Sequence, residues 1–219
     1  MEEQVGFVRK VLGIVACQMA LTFAFSLAAS AFTPVGNFFR HPLTVILCIT
    51  AFMTSICFLI CNKHLTRKVP ENYILLGIIT VCEASLIATV AAELTETSVL
   101  TAIMATSVTT FCLYFAAVFT STRARMVRNL VYGLIVAFIV DLCLLLFMVL
   151  TWNFTDKRLI FTISLLMVVI SGIFIIFDLM MIIVPNAVDK EDYILAALNL
   201  YLDIARLFLN LLRILGEKK

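Results

Sequence analysis

Apolar residues dominate this chain in runs that are long enough to cross a membrane, with short polar breaks between them. A spanning helix needs about 20 predominantly apolar residues. The runs predict seven segments, at residues 10–32, 42–62, 72–92, 98–120, 128–151, 159–183 and 193–215. Residues 1–219 are therefore predicted to form one transmembrane domain, an all-α bundle of seven helices.

The first segment and the break that follows it carry two local signals. Ala20, Ala24 and Ala28 recur once per helical turn, so they predict a face of small residues that packs against a neighbouring helix. Pro34 and Gly36 then mark the break between the first and second segments.

The last apolar run carries charged residues in its middle. Asp203 and Arg206 would each cost about 2.5–3.5 kcal/mol at the centre of a lipid-embedded helix. Together with Asn199 and Asn210 they follow the spacing 4, 3, 4, which places all four side chains on one face of a helix. We expect this face to point into the protein and to belong to a functional site, because charges inside membranes usually have a function.

Basic residues in the short connections predict the orientation in the membrane. With the amino end in the cytosol, nine basic residues fall on the cytosolic side: Arg9, Lys10, Lys63, Arg67, Lys68, Arg123, Arg125, Arg128 and Lys190. The opposite side receives only Arg40, Lys157 and Arg158. The basic tail would also prefer the cytosol, so a last segment that enters and returns stays open. The length of residues 193–215 favours a full crossing.

Composition agrees with a membrane protein and excludes other classes. Hydrophobic residues make up 63% of the chain and charged residues 14%, against about 25% charged in soluble domains. A net charge of +2 with scattered basic residues argues against nucleic-acid binding. The odd number of cysteines, seven, implies no disulfide framework. Cys57 and Cys61 lie one turn apart, but without a nearby histidine we interpret them as packing residues, and no cofactor is expected.

Asp178, near the end of the sixth segment, is the best partner for Asp203. The midpoint between them falls in the polar turn at residues 189–192, so an antiparallel hairpin would bring the two carboxyl groups to a similar depth. Two adjacent carboxylates in a low dielectric cannot both ionise at low cost, so the pair would sense protons. When deprotonated it would offer oxygen ligands to Ca²⁺. A permanently paired structural cluster, with Arg206 as counter-ion, is the alternative.

Two further acidic residues lie within predicted spans. Glu83 lies near the middle of the third segment, where it lines an ion pathway or makes a hydrogen bond between helices. Asp141 lies in the middle of the fifth, and we assign both as secondary pathway residues. Catalysis is not expected: the two aspartates lack the glycine-rich context of an aspartyl protease. The only histidines, His41 and His64, lie in loops, away from any intramembrane zinc site.

Four stretches of the chain form a recognisable set. They are Phe-Val-Arg-Lys-Val at 7–11 with Gln18, Pro-Glu-Asn-Tyr-Ile-Leu-Leu at 70–76 before Glu83, Phe-Ile-Ile-Phe-Asp at 174–178, and Asn-Leu-Tyr-Leu-Asp at 199–203. Together they resemble the transmembrane Bax inhibitor motif family, and most closely its lifeguard or Golgi anti-apoptotic branch. The resemblance implies a seven-helix bundle around a central last helix. It also implies a pH-sensitive calcium leak from intracellular stores and restraint of apoptosis.

The resemblance also implies roles for particular residues. Asp178 and Asp203 correspond to a proton-sensitive latch near the cytosolic mouth, and Arg67 corresponds to a counter-ion that pairs with it. Leu179 and Met180 replace a polar pair that usually follows the first aspartate, so this wall of the site is expected to be more apolar.

Arg206 is the second departure from the resemblance, because relatives commonly carry asparagine there. If Arg206 faced the aspartates, it would stabilise their ionised forms and repel Ca²⁺. If it turned towards Glu83 or Asp141, the latch would be intact.

These observations, together with the resemblance, predict a passive calcium-permeable leak of Golgi or endoplasmic reticulum membranes, gated by Asp178 and Asp203, that modulates store calcium and inhibits apoptosis. The alternative is a non-conducting regulator that binds membrane proteins, with its buried charges serving the fold. The expected partners are the lipid bilayer, Ca²⁺, and either further copies of the chain or membrane regulators of apoptosis.

Overall fold

A computed structural model describes residues 2–61, 67–121, 157–185 and 187–219 of the chain. These ranges contain seven α-helices: α1 (Glu2–Ala31), α2 (Thr33–Arg40), α3 (Pro42–Cys61), α4 (Glu71–Ala91), α5 (Glu96–Ser121), α6 (Lys157–Ile183) and α7 (Tyr193–Leu215). All except α2 are long and apolar enough to cross a membrane. For this part of the chain the predicted all-α membrane class is confirmed. The predicted fifth span, residues 128–151, lies outside the described residues.

The connection predicted after the first segment contains a helix of its own. Helix α2 begins with a proline in its first turn, where the missing N–H removes no helical hydrogen bond. A β-carbon added to Gly36 would lie 2.7 Å from the carbonyl oxygen of Ala29, so only glycine permits this close packing on α1. Phe39 is buried and contacts Phe25, with ring centroids 5.6 Å apart. The sequence reasoning identified the break but not this helix, because a search for long apolar runs does not register a short amphipathic helix.

Helix α7 crosses the bundle without interruption. Its 23 residues span about 34 Å at the usual helical rise. A 3-10 helix, Lys190–Asp192, precedes it, and Lys10 lies over the Tyr193 ring at 3.3 Å. We call this end, with residues 2–10 and Arg67, the N-terminal face.

The C-terminal residues lie at the other end of the bundle, the opposite face. The backbone N–H of Thr95 donates to the Glu217 carbonyl at 3.0 Å, and the N–H of Lys219 donates to the Glu93 carbonyl at 3.1 Å. The Glu93 carboxylate lies 3.7 Å from Lys218 and 3.7 Å from Arg40. The last segment therefore crosses the bundle once and does not turn back to the N-terminal face. Glu93 offsets part of the positive charge of the C-terminal tail, which had suggested that the segment would turn back.

Helix α7 packs against α6, α1, α5 and α4. In its most apolar stretch 61% of the residues are buried, compared with 11% in α3, so α7 is the more interior of the two. Tyr201 and Phe208 are fully buried, and the Phe208 ring meets Phe23 edge-on at 4.9 Å. The predicted polar face of α7 is only partly covered: Asn210 is buried and Asp203 is half-buried, whereas Asn199 and Arg206 are exposed. The expectation that the whole face points into the protein was therefore wrong.

The packing face of α1 is not the predicted alanine stripe. Ala20 and Ala24 are exposed. The buried face instead carries a polar side chain on every fourth residue, and its members are Gln18, Thr22, Ser26 and Ser30. The prediction was wrong because small size allows close packing but does not select which side of a helix is covered.

Candidate functional site

The structure brings Asp178 of α6 and Asp203 of α7 together. The chain turns back between the two helices, and Asp203 lies close enough to Asp178 for the two carboxyl groups to share a hydrogen bond. A hydrogen bond between carboxyl groups needs a proton on one of them, whereas two ionised groups at this separation repel. The contact between α6 and α7 therefore depends on whether this carboxyl pair holds a proton.

A small cavity reaches Asp178 from the N-terminal face. Its volume is about 180 Å³, and its polar lining residues are Asp178, Asp192 and Asn199. The Oδ2 atom of Asp178 is buried and has no hydrogen-bond partner within the described part of the chain. An unpartnered buried oxygen is costly, so this atom is suited to accept a proton, a water molecule or a cation.

The apolar wall of the cavity differs from the one that the resemblance predicts. Met181 and Ile182 line it, whereas Leu179 and Met180 are buried in the core of the bundle. In a helix, residues three and four positions apart share a face, and residues one and two positions apart do not. The substitutions at 179 and 180 therefore alter core packing rather than the lining of the aspartate site.

Arg67 binds the acidic turn at the start of α7. Its guanidinium donates to Asp192 at 2.8 and 2.9 Å, to Asp189 at 3.0 Å and to Glu191 at 3.1 Å. The hydrogen bonds to Asp192 and the three negative charges raise the pKa of Arg67 above its ordinary value, so it stays charged. We call this cluster the Arg67 clamp. Its member Asp192 also lines the aspartate cavity, which joins the clamp to the site.

The predicted polar stripe of α7 divides between different neighbours. Arg206 is exposed and lies close enough to Glu83 on α4 to act on its carboxylate electrostatically. Asn199 lines the aspartate cavity. Asn210 is buried and donates to the Arg206 carbonyl at 2.9 Å, an intrahelical bond that serves the fold. Asp141 lies outside the described residues.

A buried polar network between α1, α4 and α7 was missed by the sequence reasoning. Gln18 Nε2 donates to Thr80 Oγ1 at 2.7 Å, and the hydroxyls of Thr22 and Tyr201 are 3.0 Å apart. Glu83 lies close enough to Tyr201 to act on it electrostatically. The signal was present in the spacing of the polar residues of α1, which recur every four positions from Gln18.

The site supplies few ligands for a tightly held metal ion. Among the described residues no group of three or more histidine, cysteine or acidic side chains could hold a metal. Ca²⁺ takes 6–8 oxygen ligands in proteins, roughly, so two carboxyl groups with Asn199 favour transient contact rather than storage. Cys57 and Cys61 lie with their sulfurs 4.0 Å apart and have no third candidate ligand in this part of the chain.

The fold and the site define a multi-span helical membrane protein with a carboxyl pair between its last two described helices. A family profile described as "Inhibitor of apoptosis-promoting Bax1" matches residues 4–219. The chain belongs to the Bax inhibitor family, which confirms the resemblance noted in its sequence.

Three relatives show how the similarity extends over the chain. Protein lifeguard 3 of Homo sapiens is 28% identical, over 97% of this chain and 68% of its own length. Protein LIFEGUARD 3 of Arabidopsis thaliana is 30% identical, over 96% of this chain and 84% of its own length. Golgi anti-apoptotic protein of Vaccinia virus (strain Lister) is 30% identical, over 97% and 85%. The similarity thus extends over nearly the whole chain.

Proposed function

We propose that this protein is a pH-sensitive, calcium-permeable leak channel of Golgi or endoplasmic reticulum membranes, without catalytic activity, that lowers store calcium and restrains apoptosis. The observation that carries the proposal is the carboxyl pair Asp178 and Asp203 beside a cavity that leads to the N-terminal face. A fixed structural pair would need no such cavity. The names of the relatives support the anti-apoptotic part and the Golgi membrane.

The pair acts as a gate in this proposal. With one shared proton, the pair carries a single negative charge, and the hydrogen bond holds α6 against α7 so that no opening forms for a cation. When the proton leaves, the two carboxylates repel, separate and offer their oxygens to Ca²⁺. Flux is therefore expected to rise with pH through the range in which the pair titrates.

Arg206 does not plug this gate in the proposal, because it acts electrostatically on Glu83. The attraction between these two opposite charges offsets part of the cost that each would have inside the membrane. Glu83 then serves the pathway beyond the gate, near Tyr201.

The proposed topology has seven spans around a central α7 and a cytosolic amino end. Helix α5 begins beside the C-terminal residues on the opposite face, and its 26 residues are long enough to end on the N-terminal face. Helix α6 ends on the N-terminal face, where Gln4 Nε2 donates to the Ile182 carbonyl at 2.9 Å. One further crossing between α5 and α6 would complete the seven, and residues 128–151 have the length and hydropathy for it.

Calcium flux from proteoliposomes tests the proposal. Asp203→Asn keeps a hydrogen bond to Asp178 but removes the proton-controlled repulsion, so flux should lose most of its pH dependence. Arg206→Asn should leave the pH profile in place, because Arg206 acts on Glu83. Flux no greater than that of empty liposomes would refute the channel and favour the non-conducting regulator. An unchanged pH profile in Asp203→Asn would refute the gate.

The apoptotic role needs a cellular assay. Cells that express the wild-type protein should hold less calcium in their stores and survive an apoptotic stimulus better than control cells. Asp203→Asn should change store calcium and survival together. Survival that persists when store calcium is unaffected would separate protection from conduction and favour direct binding to apoptosis regulators.

A further inference from the structure

A lateral groove lies between α1 and α4, away from the aspartate pair. Its volume is about 650 Å³, and it is lined by residues 9–21 of α1 and residues 73–81 of α4. It begins at Arg9 and Lys10 on the N-terminal face and extends to the buried contact between Gln18 and Thr80. From residue 9 to residue 21 a helix rises about 18 Å, close to the thickness of one leaflet, about 15 Å of hydrocarbon.

Two glycines line this groove, although no neighbouring helix packs against them closely enough to require glycine. Glycine in membrane helices usually lets two backbones approach closely. A β-carbon added to Gly13 or Gly77 would meet no atom within 4 Å, apart from its own helix. The missing side chains therefore leave space, and in a bilayer an acyl chain fills apolar space of this shape.

The open end of the groove carries positive charge. Arg9 and Lys10 form no ion pair with an acidic side chain in the described ranges, unlike Arg67 and Lys68 nearby. The Lys10 ammonium already lies over Tyr193, but it has three donors and can also bind a phosphate. Both cations line the end of the groove at the N-terminal face of the bundle.

We propose that this groove binds a phospholipid with an anionic headgroup, with one acyl chain over Gly13 and Gly77 and the headgroup at Arg9 and Lys10. The charge complementarity selects an anionic lipid over a zwitterionic one. The bound lipid joins α1 to α4 near the start of α7, because Lys10 contacts Tyr193.

Lipid titration of the detergent-purified full chain, followed by native mass spectrometry, tests the headgroup site. Phosphatidylserine should bind more tightly than phosphatidylcholine. Arg9→Gln should weaken phosphatidylserine about five-fold, the effect of one basic residue at an anionic surface, and leave phosphatidylcholine unchanged. Arg40→Gln, on the opposite face, is the matched charge control. Equal binding of the two lipids by the wild type, or equal effects of Arg9→Gln and Arg40→Gln, would overturn the proposal.

The acyl-chain site is tested by filling it. Gly77→Leu should reduce the binding of both lipids, whereas Gly6→Leu, on α1 outside the groove and also open to space, should not. If Gly77→Leu does not fold, Gly77→Ala adds a single carbon without a clash and should still weaken lipid binding. Equal lipid binding by Gly77→Leu and Gly6→Leu would contradict the proposal. So would a mass spectrum that shows a dimer of the chain in place of a lipid complex. These binding readouts do not depend on calcium flux.

Discussion

Tyr201 and Thr22 offer a sharp test of the buried network, because only one of the two hydroxyl groups in this pair has a second hydrogen-bond partner. Its side chain is fully buried, and its hydroxyl lies 3.0 Å from that of Thr22. Thr22 also donates to the Gln18 carbonyl at 3.0 Å. Tyr201→Phe therefore leaves Thr22 with a partner, whereas Thr22→Val leaves the Tyr201 hydroxyl buried with none in the described residues.

The two substitutions should differ in size. Tyr201→Phe removes one hydrogen bond and should lower the free energy of unfolding by about 0.6 kcal/mol, the average for side-chain bonds between membrane helices. Thr22→Val keeps the shape but strands a buried hydroxyl, which costs roughly 1–3 kcal/mol. Combining the two removes both polar groups, so the double variant should be more stable than Thr22→Val alone.

Unfolding of the purified protein in detergent, measured for the wild type and the three variants, supplies the complete cycle. The decisive quantity is the coupling free energy, the difference between the double variant and the sum of the single ones. Strictly additive effects, or a larger loss for Tyr201→Phe than for Thr22→Val, would refute the assignment of this pair. Such a result would point to a water molecule that serves both hydroxyls.

Further predictions concern α2 and the Arg67 clamp. Gly36→Ala should lower the free energy of unfolding by about 1–3 kcal/mol, because its β-carbon meets the Ala29 carbonyl, whereas Gly6→Ala should not destabilise. Arg67→Gln should lower the Tm and make it less sensitive to salt, since its ion pairs with the acidic turn are exposed to screening. The raised pKa of Arg67 means that its contribution is fully present below its ordinary pKa and lost only as pH rises through the raised one. The Tm difference between wild type and Arg67→Gln should therefore be equal at neutral and mildly alkaline pH.

The predictions that held depend on local properties of the chain. Hydropathy predicted the last helix at 193–215, and the structure has it at Tyr193–Leu215, because the charged turn before it and Gly216 after it interrupt the apolar pattern. The pairing of Asp178 with Asp203 followed from one hairpin. Both depend on neighbouring stretches of chain, whose geometry a short turn largely constrains.

The predictions that failed, and the residues that were missed, depend on contacts between distant segments. The side of the C-terminus was uncertain because the positive-inside pattern cannot register Glu93, which lies far away in the sequence beside Lys218. The Arg67 clamp, too, joins residues more than a hundred positions apart. Such contacts require that both helices already be placed.

By itself, the sequence determined the class of protein, the approximate positions of the spans and the residues able to carry charge inside the membrane. These follow from the cost of polar groups in hydrocarbon, which acts on every segment separately. Only the tertiary structure decided which neighbour each polar residue meets: Arg206 with Glu83, Arg67 with the acidic turn, and Thr22 with Tyr201. The reason is physical, since a helix presents several faces and only packing against other helices selects among them.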